Sequence, residues 1–248
     1  MILAIDIGNS YTKLAIYRWK NVVRRELIHK TQHFDLKELL TEHCIKRIAI
    51  STVGRECDIE RQAEASGIEI IRLERGMKLP FANDYITPET LGLDRIAGML
   101  GAWGTHEGVK DFLVMDLGTC NTYDIMIDGH YLGGNIAPGI EMRLKAMHEF
   151  TAKLPLISVE EADEAVEKMT EKIGRTTREA MACGAILGMT DEIERVTSDF
   201  RQMTSNNGVC VMTGGYADVI AKRLKSNVEV NPYLVLDGLC FVASTLED

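Results

Sequence analysis

The chain has 248 residues, 46% of them hydrophobic and 26% charged, with a formal net charge of −9. That length bounds one to two domains with real cores, and the acidic balance, with no basic cluster beyond Arg24-Arg25, excludes nucleic acid as a natural partner. No apolar run approaches the ~20 residues of a membrane span, and the six cysteines (Cys44, Cys57, Cys120, Cys183, Cys210, Cys240) form no C-x-x-C pair and have no histidine at ligand spacing, which excludes a zinc site and fits a reducing cytosol.

In chain order, Met1–Ile7 is apolar but contains Asp6 and lacks a basic lead, so it reads as a first strand rather than a signal peptide. With Lys13–Trp19 and Asn21–Ile28 it predicts a three-stranded meander around the turn Gly8-Asn9-Ser10. Asp35–His43 predicts a short helix with Leu36, Leu39 and Leu40 on one face. A strand at Arg47–Ser51, a helix at Ile59–Ser66 and a strand at Ile68–Arg72 follow. Pro80, Pro88 and weak periodicity make Gly76–Thr90 a loop. Asp94–Trp103 is helical, with Ile96, Met99, Leu100 and Trp103 at core spacing, and Gly104 and Gly108 mark a linker. The domain boundary is therefore expected between residues 109 and 110, giving domains 1–109 and 110–248.

The second half opens with strands at Phe112–Leu117 and Thr122–Ile127, a hairpin turn at Asp128-Gly129 and a further strand through Tyr131. Gly133-Gly134 and Pro138-Gly139 bracket an expected loop before a helix at Ile140–Phe150. Glu160-Glu161-Ala162-Asp163 reads as a solvated helix start, and a long amphipathic helix is expected over about Thr177–Met203. Then come a strand at Val209–Thr213, Gly214-Gly215, a helix at Tyr216–Leu224, a strand at Val228–Val230 and a terminal helix near Leu236–Leu246.

An internal repeat organises these elements. Asp6-x-Gly8-x-x-x-Thr12 and Asp116-x-Gly118-x-x-x-Thr122 recur, each between two strands, and predict a duplicated unit with a cleft between the halves. A strand ending in Asp-x-Gly presents a carboxylate suited to a hydrated cation, and its glycine lets backbone approach a ligand. The residues that follow offer N–H and hydroxyl donors to phosphate. A single such turn is more often a capped turn; the pair favours phosphate binding. Thr213-Gly214-Gly215-Tyr216 adds a strand-to-helix joint that suits either adenosine or phosphate, or plain packing. There is no P-loop and no protein-kinase motif set. The ordered set resembles the nucleotide-binding fold of actin, hexokinase and heat-shock chaperones. The fold class expected is α/β, two ribonuclease-H-like domains flanking a nucleotide cleft.

Asp6-Ile7-Gly8-Asn9-Ser10, Leu91-Gly92-Leu93-Asp94-Arg95, Asp116-Leu117-Gly118-Thr119, Tyr131 to Gly139, Gly174-Arg175-Thr176-Thr177 and Leu236-Asp237-Gly238-Leu239 resemble, in order, the motifs of the type III pantothenate kinases. The resemblance covers nearly the whole chain. It implies ATP-dependent phosphorylation of pantothenate in coenzyme A biosynthesis, with ATP and Mg²⁺, a required K⁺ or NH₄⁺, and a homodimer that completes the substrate pocket. It implies Asp94 as general base, and Tyr85, Gly92, Leu93, Arg95 and Thr177 as substrate-binding residues. It implies Asp6, Ile7, Gly8, Asn9, Ser10, Tyr11, Thr12, Lys13 and Thr119 around ATP, and Asp116 at the monovalent cation. Asp94 also stands where a helix N-cap would, and a helix N-terminus lowers a carboxylate pKa; the two roles are compatible. Ser10-Tyr11, Lys13, Leu93, Cys120 and Asn121 depart from the family's usual residues, and Lys13 could approach a phosphate but reads more readily as a solvated strand residue. Another small-metabolite kinase of this fold and a non-catalytic nucleotide-binding regulator are the alternatives.

Overall fold

A computed structural model describes residues 1–7, 11–19, 21–29, 35–52 and 58–245. The chain divides into two compact units, Met1–Val109 with Tyr233–Asp248, and Lys110–Pro232. The first unit contains β1 (Ile2–Ile7), β2 (Tyr11–Arg18), β3 (Asn21–His29), α1 (Leu36–Glu42), β4 (Arg47–Thr52), α2 (Asp58–Ala65), β5 (Glu69–Arg72), the short β6 (Ala82–Asn83), a 3₁₀ turn (Pro88–Thr90) and α3 (Leu93–Thr105). The second contains β7 (Phe112–Leu117), β8 (Cys120–Ile127), β9 (His130–Pro138), α4 (Ile140–Glu149), α5 (Val159–Lys168) and α6 (Thr177–Ala182). A π-turn (Cys183–Leu187), α7 (Gly188–Met203), β10 (Val209–Thr213), α8 (Ala217–Ala221) and β11 (Glu229–Val230) complete it. The terminal α9 (Leu234–Thr245) groups with the first unit.

In the first unit the strands lie in the order β3-β2-β1-β4-β5, with β1 antiparallel to β2 and parallel to β4. Alternation along the strands sorts the two faces. Leu3, Ile5, Ile7, Leu14, Ile16, Ile48 and Ile50 form one core with Leu36, Leu39 and Leu40 of α1 and with Ile59 and Ala63 of α2. Each such buried aliphatic side chain contributes about 1.5–3 kcal/mol. Asp35 starts α1 by accepting from the Lys37 amide at 2.9 Å. The other face carries Ala4, Ala15 and Ala49 side by side, and these small residues admit α9 against β1 and β4. Tyr17 donates to Asp237 Oδ1 at 2.6 Å and Arg47 Nη1 to the Ala243 carbonyl at 3.0 Å, fixing α9 on the sheet. Next, α3 crosses α9 through Gly101 and Gly238, where a Cβ would overlap the Leu234 and Ala97 carbonyl oxygens respectively.

The second unit's own five strands lie in the order β9-β8-β7-β10-β11, with β7 antiparallel to β8 and parallel to β10. Strand for strand this repeats the first unit, so the duplication read at the Asp-x-Gly turns extends across the sheet. Leu113, Met115 and Leu117 pack with Ile140, Leu144, Ile186, Met189 and Ile193 in its core.

Two local expectations need correction. Gly133–Pro138 is strand, not loop: β9 runs through to Pro138, and Gly134 is required because a Cβ would overlap the Tyr123 carbonyl oxygen. The acidic run 160–163 lies at a solvated helix start as expected, that of α5, with a capping box in which Ser158 Oγ accepts from the Glu161 amide at 3.1 Å and Glu161 Oε2 from the Ser158 amide at 2.8 Å. Val159, Ala162 and Val166 are its buried stripe. Finally, the long helix starts at Thr177 and ends at Met203 as expected, but a π-turn interrupts it.

Candidate active site

Asp6 and Asp116 sit at the carboxyl ends of the central strands β1 and β7, the edge at which open α/β sheets bind ligands. Asp6 lies between Lys13 on β2 and Ser51 on β4; Asp116 lies between Thr122 on β8 and Thr213 on β10. The registers reveal an offset hidden in the sequence. Thr122 pairs with Asp116, whereas Thr12 pairs with Ile7 and Lys13 with Asp6. A one-residue shift moves a side chain to the opposite face. Buried Thr12 therefore faces the side of Ile7, and half-buried Lys13 takes the position of Thr122. Gly8, Asn9 and Ser10 lie outside the described residues, as does the Tyr11 side chain.

Around Asp116 the second unit brings together three glycine-bearing segments. The Gly118 amide donates to the Cys120 carbonyl at 3.1 Å, and the Gly139 amide to the Thr119 carbonyl at 3.0 Å. A Cβ on Gly139 would overlap the Gly118 oxygen. Gly214 has φ of 95°, and a Cβ there would stand 2.5 Å from Asp116 Oδ1, Leu117 N and Leu117 O. The Asp116 carboxylate, the Leu117 amide nitrogen and the Leu117 carbonyl, which accepts from the Tyr216 amide at 3.0 Å, thus all press on this position and require glycine there. Thr119 and Cys120 are exposed beside it.

Beneath this loop runs a polar network. Asn121, fully buried, donates from Nδ2 to Tyr123 Oη at 3.3 Å, and Tyr123 donates to Glu192 Oε1 at 2.5 Å. Arg143 bridges Glu192 Oε2 at 2.6 Å and the Pro138 carbonyl at 2.8 Å. Burial, and then the hydrogen bond to Glu192, push the Tyr123 phenol far above its ordinary value, so it stays a donor. None of these partners is visible in the sequence, because Tyr123 and Glu192 lie 69 residues apart. Gly139 was legible only as a turn glycine; its contact with Gly118 follows from the β9 register.

In the first unit Tyr85, Gly92, Leu93, Asp94 and Arg95 come together at the start of α3. The helix begins at Leu93 with Gly92 as its cap residue, so Asp94 lies inside the first turn rather than at the N-cap. Asp94 Oδ1 accepts from the Arg95 amide at 2.9 Å and occupies the space a Gly92 Cβ would need. Arg95 is buried, with its guanidinium carbon 5.5 Å from the Tyr85 ring centroid, within cation–π range. Tyr85 is placed by a local turn in which its amide donates to Asn83 Oδ1 at 3.1 Å. Half-buried Leu93 helps line a cavity of about 270 Å³ with Met77, Phe81, Leu91 and Ile96, and neither Asp94, Arg95 nor Tyr85 borders it. Thr177 is exposed at the first position of α6 in the second unit, after a Thr176–Glu179 capping box. Gly174 precedes it because a Cβ would overlap the Ala180 amide.

Residues 2–199 match the family model described as type III pantothenate kinase. A type III pantothenate kinase of Christiangramia forsetii is 34% identical over 250 residues, covering 98% of this chain and 97% of the relative. One of Phocaeicola vulgatus is 37% identical over 243 residues, covering 96% of each. Among solved structures, a ROK hexokinase of Thermus thermophilus matches with a TM-score of 0.55 at 11% identity, over 100% of this chain and 99% of that one. A Campylobacter jejuni protein described as a Baf family transcriptional activator matches with a TM-score of 0.59 at 20% identity, over 99% and 100%. At those identities the structural likeness is one of fold, that of paired ribonuclease-H-like domains. With the family model over most of its length and relatives above 30% identity along nearly all of it, the chain belongs to the type III pantothenate kinase family.

Proposed function

We propose that this protein transfers the γ-phosphoryl group of ATP to the primary alcohol of pantothenate, forming 4′-phosphopantothenate, the first step of coenzyme A biosynthesis. The supporting observation is the constellation at the start of α3: a carboxylate oriented by its neighbour's amide, followed at once by a buried guanidinium stacked on an aromatic ring. Phosphoryl transfer needs in-line positioning and charge neutralisation more than covalent help. Asp94 takes the alcohol proton as the oxygen attacks phosphorus. Its Oδ1 is engaged by the Arg95 amide, which assigns the proton to the other carboxylate oxygen. Arg95 holds the pantothenate carboxylate, and Tyr85, Gly92, Leu93 and Thr177 shape the substrate's surroundings.

Residues 6–13 and Thr119 carry the ATP contacts in this reading, with Lys13, beside Asp6, on phosphate. A divalent cation, when bound, neutralises charge on the phosphate oxygens. Asp116 is assigned the monovalent cation, K⁺ or NH₄⁺, a role its carboxylate at the carboxyl end of β7 suits. In this reading the protein works in the cytoplasm as a homodimer.

The test is a coupled ADP-release assay with pantothenate, ATP and Mg²⁺, run with K⁺ and again with Na⁺ alone. Pantothenate-dependent turnover that requires K⁺ is expected. ATP binding without pantothenate-dependent turnover would remove the substrate assignment, and equal rates in Na⁺ would remove the cation assignment.

A further inference from the structure

Ser51 ends the face of β4 that carries Ala49. It is 4% exposed, and its Oγ meets no hydrogen-bond partner among the described residues. Leaving a buried hydroxyl unmet is costly, and the row two residues earlier shows that alanine fits this face well. The strand therefore gives no reason for a hydroxyl here.

The register supplies one. Ser51 is directly opposite Asp6 across the parallel β1–β4 pair, and Lys13 is opposite Asp6 on the other side. Opposed residues on neighbouring strands share a face. A cation, a carboxylate and a hydroxyl thus stand in one row within about 10 Å, since strands lie about 4.8 Å apart. The row lies at the carboxyl ends of β1 and β4. In the second unit the same three positions hold Thr122, Asp116 and Thr213, and Thr213 is likewise buried. A hydroxyl on the strand parallel to the Asp-bearing strand therefore recurs in both halves, although the Asp-x-Gly repeat does not include it.

We propose that Ser51 is a further nucleotide-binding residue, its hydroxyl donating a hydrogen bond to a phosphate oxygen of the Mg²⁺-bound nucleotide beside Asp6. The donor set fits such a group: the carboxylate suits a hydrated divalent cation, and the ammonium and hydroxyl suit phosphate oxygens. This inference rests on the kinase reading and adds a contact from outside the glycine turn.

The experiment titrates the non-hydrolysable analogue AMPPNP with Mg²⁺ into the full chain by calorimetry, using wild type, Ser51→Ala and Ser51→Thr, with a thermal melt of each protein without nucleotide. Losing one hydroxyl donor should weaken binding by roughly three- to tenfold. Ser51→Thr should restore the affinity, and Ser51→Ala should melt no lower than wild type because it removes an unmet buried group. Unchanged affinity in Ser51→Ala overturns the proposal. So does a lowered melting temperature with no rescue by threonine, which would make Ser51 structural. Failure of wild type to bind AMPPNP would remove the kinase reading itself, an outcome distinct from a Ser51-specific result.

Discussion

Asp94 is held in place by its neighbours on both sides, Gly92 by lacking a Cβ and Arg95 through its amide. Asparagine keeps the shape and can still accept the Arg95 amide proton, but it cannot take a proton from an alcohol. Asp94→Asn should therefore lower kcat by roughly 10²–10⁴-fold, the usual worth of a positioned general base, while calorimetric affinity for Mg²⁺–AMPPNP stays near wild type. A variant that turns over at the wild-type rate would reduce Asp94 to a helix-start residue. This part of the site was legible because Leu91 to Arg95 is contiguous: the motif and its geometry occupy the same few residues. The Asp116 surroundings were legible only in part. Gly214 could be read as a strand–helix glycine, but its role as the gap that admits the Asp116 carboxylate depends on β10 lying beside β7. Lys13 read more readily as a solvated strand residue, because sequence spacing alone aligned Thr12 with Thr122 and hid the one-residue register offset.

At the level of elements, α3 and α9 approach backbone to backbone at Gly101 and Gly238. A Cβ on Gly101 would meet the Leu234 carbonyl oxygen, a backbone atom that no rotamer change can move. Gly101→Ala should therefore force the helices apart and cost on the order of 1–3 kcal/mol, the range for overpacked cores. Gly188→Ala in α7 is the matched control: nothing lies within 4 Å of its added Cβ, and helix propensity favours alanine by up to about 1 kcal/mol. Differential scanning calorimetry should show the first variant melting below wild type and the second at or above it; equal melting of both would mean that the crossing tolerates separation. The strands and most helices followed from period and punctuation, since Leu36, Leu39 and Leu40 or the Phe112–Leu117 run declare their geometry locally. β9 did not. Its glycines and proline mimic a loop, yet Gly134 is there because the Tyr123 backbone of the neighbouring strand presses against it, and Gly139, just past its end, because the 118–119 turn does.

Across the whole molecule, the repeat of Asp-x-Gly turns announced two units, but it could not say that α9 closes back on the first. That pairing is specified by Ala4, Ala15, Ala49 and Gly101, residues too small to stand out in a sequence. Acid should not act evenly on the two units. In the second, burial raises the Asp163 carboxyl, but hydrogen bonds from Lys222 and Arg223 outweigh it and hold the group below its usual range. Burial likewise raises Glu194, and the Ser226 hydroxyl with the Lys225 and Ser226 amides reverses the effect. A carboxylate whose folded pKa is depressed stabilises the fold above its unfolded pKa, and that contribution disappears as pH falls through the folded value. Glu194→Gln should thus melt below wild type at pH 7, and the gap should narrow as the pH falls below the ordinary glutamate range and close once the wild-type carboxylate, held below that range in the fold, also protonates. A gap that stays constant across this range would show that Glu194 acts by shape rather than charge.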